Sequence, residues 1–249
     1  MSDLKLGALA PVRPYGLSDL TVYAAGKLPA APAVAEVPTV ADWQMFGNGP
    51  DPSLTVNHGQ PVGDCTIAGA AHAILAWNAE VKQHDVVPTA NQVVDAYFGL
   101  TGGADAGCVE ANVLSHWHKT GLFGHQIAGY APVHTNSIST LFQAIAFYGG
   151  AYLGVALPES AQEQFARGQD WSYVPFSPIE GGHCILAVGY DTKHDVVQCV
   201  TWGSVVNVRL SWLAHYMTEA WAIISHEFIE AERGPRLDLA TLQADLKSL

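Results

Sequence analysis

Charge is scarce in this chain of 249 residues: 14% of them are Asp, Glu, Lys or Arg, and 11 basic residues stand against 23 acidic ones, a net charge of −12. With no basic stripe to neutralise phosphates, nucleic acid is excluded as a partner. An acidic surface also repels anionic membranes and attracts basic segments of a peptide. The four cysteines, Cys65, Cys108, Cys184 and Cys199, show neither CxxC spacing nor the density of a disulfide scaffold, which fits a reducing compartment. Met1-Ser2-Asp3-Leu4-Lys5 lacks a basic region followed by an apolar run, so no secretory signal is read and a cytoplasmic location is expected. The most apolar stretch, 140–158, is broken by Gln143, Gly149, Gly150 and Gly154, and reads as a buried helix followed by a strand, with no membrane span. No repeat with a period of roughly 20–50 residues is present. Metal and nucleotide chemistry lack their patterns too. His116 and His118 diverge on a helix, His226-Glu227 has no second histidine one turn on, and Gly102-Gly103 has no phosphate-binding lysine, so no cofactor is expected.

What is present is apolar: 49% hydrophobic residues, enough for a large core, punctuated by 24 Gly and 14 Pro. Residues 1–36 are rich in Ala and Pro and form an extended arm lying over a surface. Residues 37–150 are mainly helical. Apolar steps of three and four predict a helix from Cys65 to Val81 with a polar outer face, and others at Ala90–Tyr97, Val109–Thr120 and Ser137–Tyr148, the last two stopped by glycines. Residues 151–249 are β-rich, with strands expected at Ala151–Leu157, Cys184–Tyr190, Val196–Trp202, Val205–Leu210 and Ala220–Ser225, and a helix at Glu159–Arg167. A closing helix carries Leu239, Leu242, Leu246 and Leu249 as a stripe that can pack on the body or on a second subunit. The fold class is α+β.

Two residues carry the chemistry. Gly63-Asp64-Cys65-Thr66 leads from a Gly/Pro-rich loop into a helix, which places the Cys65 sulfur at a helix N-terminus. Unpaired N–H groups there favour a thiolate and can cradle an oxyanion. His183 follows Glu180-Gly181-Gly182 at the entrance of an apolar strand, as a titratable ring beside a flexible loop. A thiol nucleophile needs such a base.

These and other segments, in order along the chain, resemble the papain-like cysteine peptidases, as a divergent, bacterial-type member. Val37-Pro38-Thr39-Val40-Ala41-Asp42-Trp43 looks like the mature-start segment, and Gln60-Pro61-Val62-Gly63-Asp64-Cys65 like the oxyanion glutamine and nucleophile. Asn91-Gln92-Val93-Val94-Asp95 and Gly107-Cys108 resemble the helical wall of the cleft; Gly182-His183 with Ala187-Val188-Gly189-Tyr190, then Thr201-Trp202-Gly203, resemble the histidine strand and the tryptophan turn. The resemblance implies a helical subdomain and an antiparallel β-barrel-like subdomain with a cleft between them. It implies Cys65 as nucleophile, His183 as base and then acid, Gln60 as oxyanion donor and Trp202 as a shield against water. Gly63, Asp64, Glu110 and Gly182 would line the substrate's path, the substrate being a peptide or protein, and no cofactor is implied.

The departures are specific. Val200 stands where the family has the asparagine that orients the histidine; Thr201, Asn207 or Glu219 are the alternatives in this chain. Gln60 precedes Cys65 by one residue fewer than usual, and Val109-Glu110 replaces the double glycine of the cleft wall. Cys108 lacks its disulfide partner, which would fall at Val62. The arm is short for the family's inhibitory propeptide, so zymogen processing is not implied. A fold that kept its shape as a binding module, with weak or no catalysis, is the alternative reading.

Overall fold

The computed structural model describes residues 4–10, 28–51, 54–82 and 86–227. The leucine stripe near the C-terminus lies outside the described residues. Among the described residues, six helices and seven strands follow one another. They are β1 (Val34–Ala35), α1 (Cys65–Val81), α2 (Ala90–Thr101), α3 (Glu110–Lys119), β2 (Ile127–Pro132), α4 (Ile138–Tyr148), β3 (Ala151–Pro158), α5 (Glu159–Ala166), β4 (Ile179–Asp191), β5 (Val196–Thr201), β6 (Ser204–Arg209), α6 (Leu210–Tyr216) and β7 (Met217–Ser225). A 3-10 turn, Val56–Gly59, precedes α1. No helix among the described residues is long and apolar enough to cross a membrane.

One antiparallel sheet organises the molecule, in the order β2-β7-β3-β4-β5-β6, with β1 also pairing β4. Two apolar clusters divide the core. One gathers α1, α2, α3 and residues of β4 such as Cys184 and Leu186; the other gathers α4, α6 and alternate residues of the same strands, such as Ile185 and Ala187. The two-residue alternation of a strand makes this division, since successive side chains of β4 face opposite ways.

The helices form where local chemistry asks for them. Thr89 and Gln92 make a reciprocal capping box at the start of α2, and Gly102 ends it in the left-handed conformation. Gly149 ends α4 in the same way. For α1 the expected polar face is absent: every residue from Cys65 to Trp77 is buried, Thr66 and His72 included. The helix is wedged between the helical layer and β4, so small alanines, rather than one apolar stripe, let it pack all round. Strand β4 begins earlier than its apolar run, at Ile179, so that His183 stands within the strand, paired with Val155 of β3. The glycines before it offer no side chain to read, yet their backbones continue the ladder. β2 lies in the helical half of the chain and joins the sheet beside β7, its side chains alternating buried and half-buried.

Candidate active site

Cys65 opens α1 and is 1% exposed. Asp64, just before it, is buried and accepts a hydrogen bond from the Asn48 side chain; burial raises its pKa well above the usual carboxylate range. Gly63 donates its N–H to Asp105 Oδ1 at 2.9 Å. The same oxygen accepts from the Tyr97 hydroxyl at 2.7 Å, and that hydroxyl accepts from the Gly107 N–H at 2.8 Å. One tyrosine thus ties the loop before the cysteine to the turn before Cys108. Replacing Tyr97 by Phe is expected to lower the free energy of unfolding by about 1–3 kcal/mol, because it leaves Gly107 N–H unpaired and removes a donor from Asp105; urea denaturation measures it, and an unchanged midpoint would deny the bridge its role.

His183 is fully buried. Its Nε2 lies 2.8 Å from Thr201 Oγ1, and its ring stacks on Trp202 with centroids 4.7 Å apart and planes 19° from parallel. Thr201 and Trp202 owe these positions to the β5–β6 hairpin. Trp202 (φ 45°) and Gly203 (φ 72°) are the two turn residues between Thr201 and its partner Ser204, the left-handed pair a tight hairpin requires. A bulky residue in that region is strained, and packing holds it there: Trp202 also meets Phe165 and Trp171 edge-on. Val200, by contrast, pairs with Leu186 in the apolar ladder. The other two alternatives for a histidine partner are occupied elsewhere, Asn207 with Asp170 and Glu219 with Trp221.

One part of the arm departs from the expectation of a surface path. Residues 4–10 lie in the site, with Gly7 buried. Lys5 N–H bonds Asn48 O at 2.9 Å, Ala8 N–H bonds Gly182 O at 3.1 Å, Leu9 N–H bonds Cys108 O at 2.8 Å, and Cys108 N–H bonds Gly7 O at 2.8 Å. The segment is held as an extended chain between the Cys108 wall and the histidine strand. The fit is so close that a Cβ on Gly7 would fall 1.6 Å from Gly63 O, and one on Gly182 would fall 2.1 Å from Ala8 O.

This cover sets the electrostatics. Desolvation pushes the Cys65 thiol up to about 12, although the backbone N–H groups of Cys184 and Gly7 pull the other way. Burial, helped by the nearby His72, lowers His183 to about 3. In the covered form the cysteine is a thiol and the histidine a neutral imidazole. No hydrogen bond joins them, and His183 Nδ1 has no partner among the described residues.

The remaining residues named from sequence are scattered by degrees. Gln60 caps the 3-10 turn and is exposed; no described bond ties its side chain to Cys65. Glu110 opens α3 and is fully buried, its carboxyl beside Gly154, Cys184 and Glu219. All four cysteines are free and buried. Asp105 and Tyr97 were not legible as site residues, since an Asp in a Gly/Ala loop reads as an ordinary turn. No group of three or more His, Cys, Asp or Glu among the described residues is placed to hold a metal ion.

No protein-family profile matches the chain, and no curated relative does. Its fold nevertheless has solved counterparts. It is similar to xylellain, a cysteine protease from Xylella fastidiosa, with a TM-score of 0.60 over 90% of this chain and 97% of that one, at 16% identity. A cysteine protease from Carica candamarcensis aligns over 78% of this chain and 99% of its own, with a TM-score of 0.48 and 10% identity. The first likeness establishes a papain-like fold for this chain.

Proposed function

We propose that the chain is a cysteine-dependent hydrolase of peptide or related amide bonds, described here with its cleft covered by its own N-terminal segment. One observation carries the reading: an extended peptide backbone lies on Cys65, hydrogen-bonded on both sides, between the N-terminus of a helix and the strand that bears His183. A cleft that grips a backbone this way can grip a substrate's.

With the arm displaced, water reaches the pair and the desolvation that holds both groups neutral is relieved. Cys65 Sγ attacks the amide carbon as its proton passes to His183. The oxyanion forms beside the N-terminus of α1, where the Cys65 backbone N–H is a donor and Gln60 is the candidate for a second. His183 then gives the proton to the departing amine, leaving a thioester on Cys65. Water, deprotonated by His183, attacks the thioester and releases the acid and the free thiol. Thr201 Oγ1, accepting Nε2–H, fixes the tautomer whose Nδ1 lone pair takes the cysteine's proton. Trp202 covers the ring and keeps water from its face.

The second reading, a peptide-binding module, draws on the same geometry, because Cys65 and His183 are unbonded and neutral in the covered form. Mass spectrometry of a mixed peptide library incubated with the Gly7→Ala chain separates the two. Cleavage that disappears in the added Cys65→Ala variant supports the hydrolase; binding without cleavage supports the module.

A further inference from the structure

A second thiol, that of Cys184, stands beside Cys65, and we propose that the two form a reversible disulfide, with Cys184 resolving the sulfenic acid that a hydroperoxide makes of Cys65. The proposal rests on Cys65 as a nucleophile and goes beyond its action on amides.

The two residues meet where α1 packs on β4. Cys65 opens α1, and the backbone N–H of Cys184 is one of the two that face its sulfur. Gly69 follows one turn along the helix on the same face as Cys65, where Cβ positions are about 5–6 Å apart. A Cβ on Gly69 would fall 3.1 Å from Cys184 Sγ. The glycine thus leaves open the place that the Cys184 sulfur takes against the helix, one turn from Cys65. Both cysteines belong to the same apolar cluster, while Cys199 lies in the cluster on the other face of the sheet. The Cys108 thiol is set beside Thr66, with the arm's backbone along its own.

The surroundings of Cys184 suit a proton transfer. Its thiol lies beside the carboxyl of Glu110, which is fully buried and has no other hydrogen-bond partner among the described residues. A buried carboxyl normally has its oxygens occupied by donors. Burial, and then repulsion from Glu219, raises the pKa of Glu110 well above the usual carboxylate range, so it stands as a neutral acid with one oxygen to accept a proton and one hydroxyl to give.

With the arm displaced, the Cys65 thiolate attacks one oxygen of the peroxide. The O–O bond breaks, the alcohol departs with the proton held by His183, and Cys65 becomes a sulfenic acid. The Cys184 sulfur then attacks the Cys65 sulfur, forming S–S as S–O breaks. The Cys184 proton passes to Glu110, and Glu110 gives its own to the departing hydroxide, which leaves as water. The two thiols are oxidised together by two electrons, and the peroxide is reduced to an alcohol and water. The disulfide keeps Cys65 from the irreversible sulfinic stage and is opened again by a dithiol.

The test treats the full wild-type chain and its Gly7→Ala variant with hydrogen peroxide, blocks free thiols with iodoacetamide and digests without reduction for mass spectrometry. A peptide pair joined through Cys65 and Cys184, two hydrogens lighter than its parts, is expected, and dithiothreitol should restore Cys65 labelling. This readout keeps all four cysteines and depends on no change at position 184. In the Gly7→Ala background Cys184→Ser should lose the joined pair, trap dimedone on Cys65 and accumulate sulfinic acid there about tenfold faster, whereas Cys108→Ser should still form the bond. Cys65 joined to Cys108, Cys65 joined only to a second chain, Cys65 oxidised to sulfinic acid with Cys184 left free, or both thiols unmodified in both chains would overturn the proposal. The Cys65–Cys184 bond in a chain that cleaves no peptide would instead defeat the hydrolase reading and leave the disulfide standing.

Discussion

Replacing Gly7 by alanine is expected to raise the rate of peptide-amide hydrolysis about 10- to 100-fold at neutral pH. The added Cβ would fall 1.6 Å from Gly63 O, an overlap with backbone that no rotamer relieves. Overpacking of this kind costs about 1–3 kcal/mol, and each 1.4 kcal/mol is about tenfold in the fraction of uncovered cleft. The arm is poorly placed to absorb that cost. Its four backbone hydrogen bonds contribute about 1 kcal/mol each, net, a sum of the same order as the overlap penalty. The chain with Ala8→Gly is a control, since it leaves the Gly7 contact intact and should stay covered. A Gly7→Ala chain no faster than wild type would show that the arm does not limit access to Cys65.

Replacing Thr201 by valine is expected to lower kcat about 10- to 100-fold with KM little changed, the usual scale for removing a group that orients a reactive imidazole. The substitution conserves volume but removes the oxygen 2.8 Å from His183 Nε2. The ring then loses what distinguishes its two nitrogens, and Nδ1 carries the proton for part of the time. Thr201→Ser restores the hydroxyl and should recover most of the rate. If valine and serine behave alike, the hydrogen bond is structural and something else orients the ring. Steady-state kinetics of the three chains in the Gly7→Ala background decides this.

The register of this hairpin shows where sequence reasoning stops. Val200 stood at the position of the missing asparagine, and Thr201 was one of three replacements that the letters alone could not rank. The choice depends on the two-residue turn at Trp202-Gly203, which sends the Thr201 side chain to His183 and that of Val200 into the apolar ladder. The helix of Cys65–Val81 was legible to its last residue because a Gly-Asp start and a long alanine-rich run have few competing structures. Its polar face was not, since burial on every side comes from packing between two layers. β2 and α6 were missed for different reasons. β2 contains Gly129 and Pro132, which read as loop, and α6 is a seven-residue helix, too short to show a period. The arm's entry into the cleft left no periodic trace. Its one signal is Gly7 itself, a residue without a side chain at the point of closest approach.

The central claim is that Cys65 and His183 act as a nucleophile and its base, and the pH dependence of Cys65 alkylation tests it most directly. Iodoacetamide labelling is followed by mass spectrometry in the Gly7→Ala chain, with and without His183→Ala. In the covered wild-type chain, where the thiol is pushed up to about 12, labelling should be slow and still rising at the most alkaline pH tested. In Gly7→Ala it should be fast below pH ~7, as expected of a thiolate stabilised by a neighbouring imidazolium, and His183→Ala should abolish that plateau. Slow labelling that follows an ordinary thiol titration near pH ~8.5 in both uncovered chains would contradict the claim.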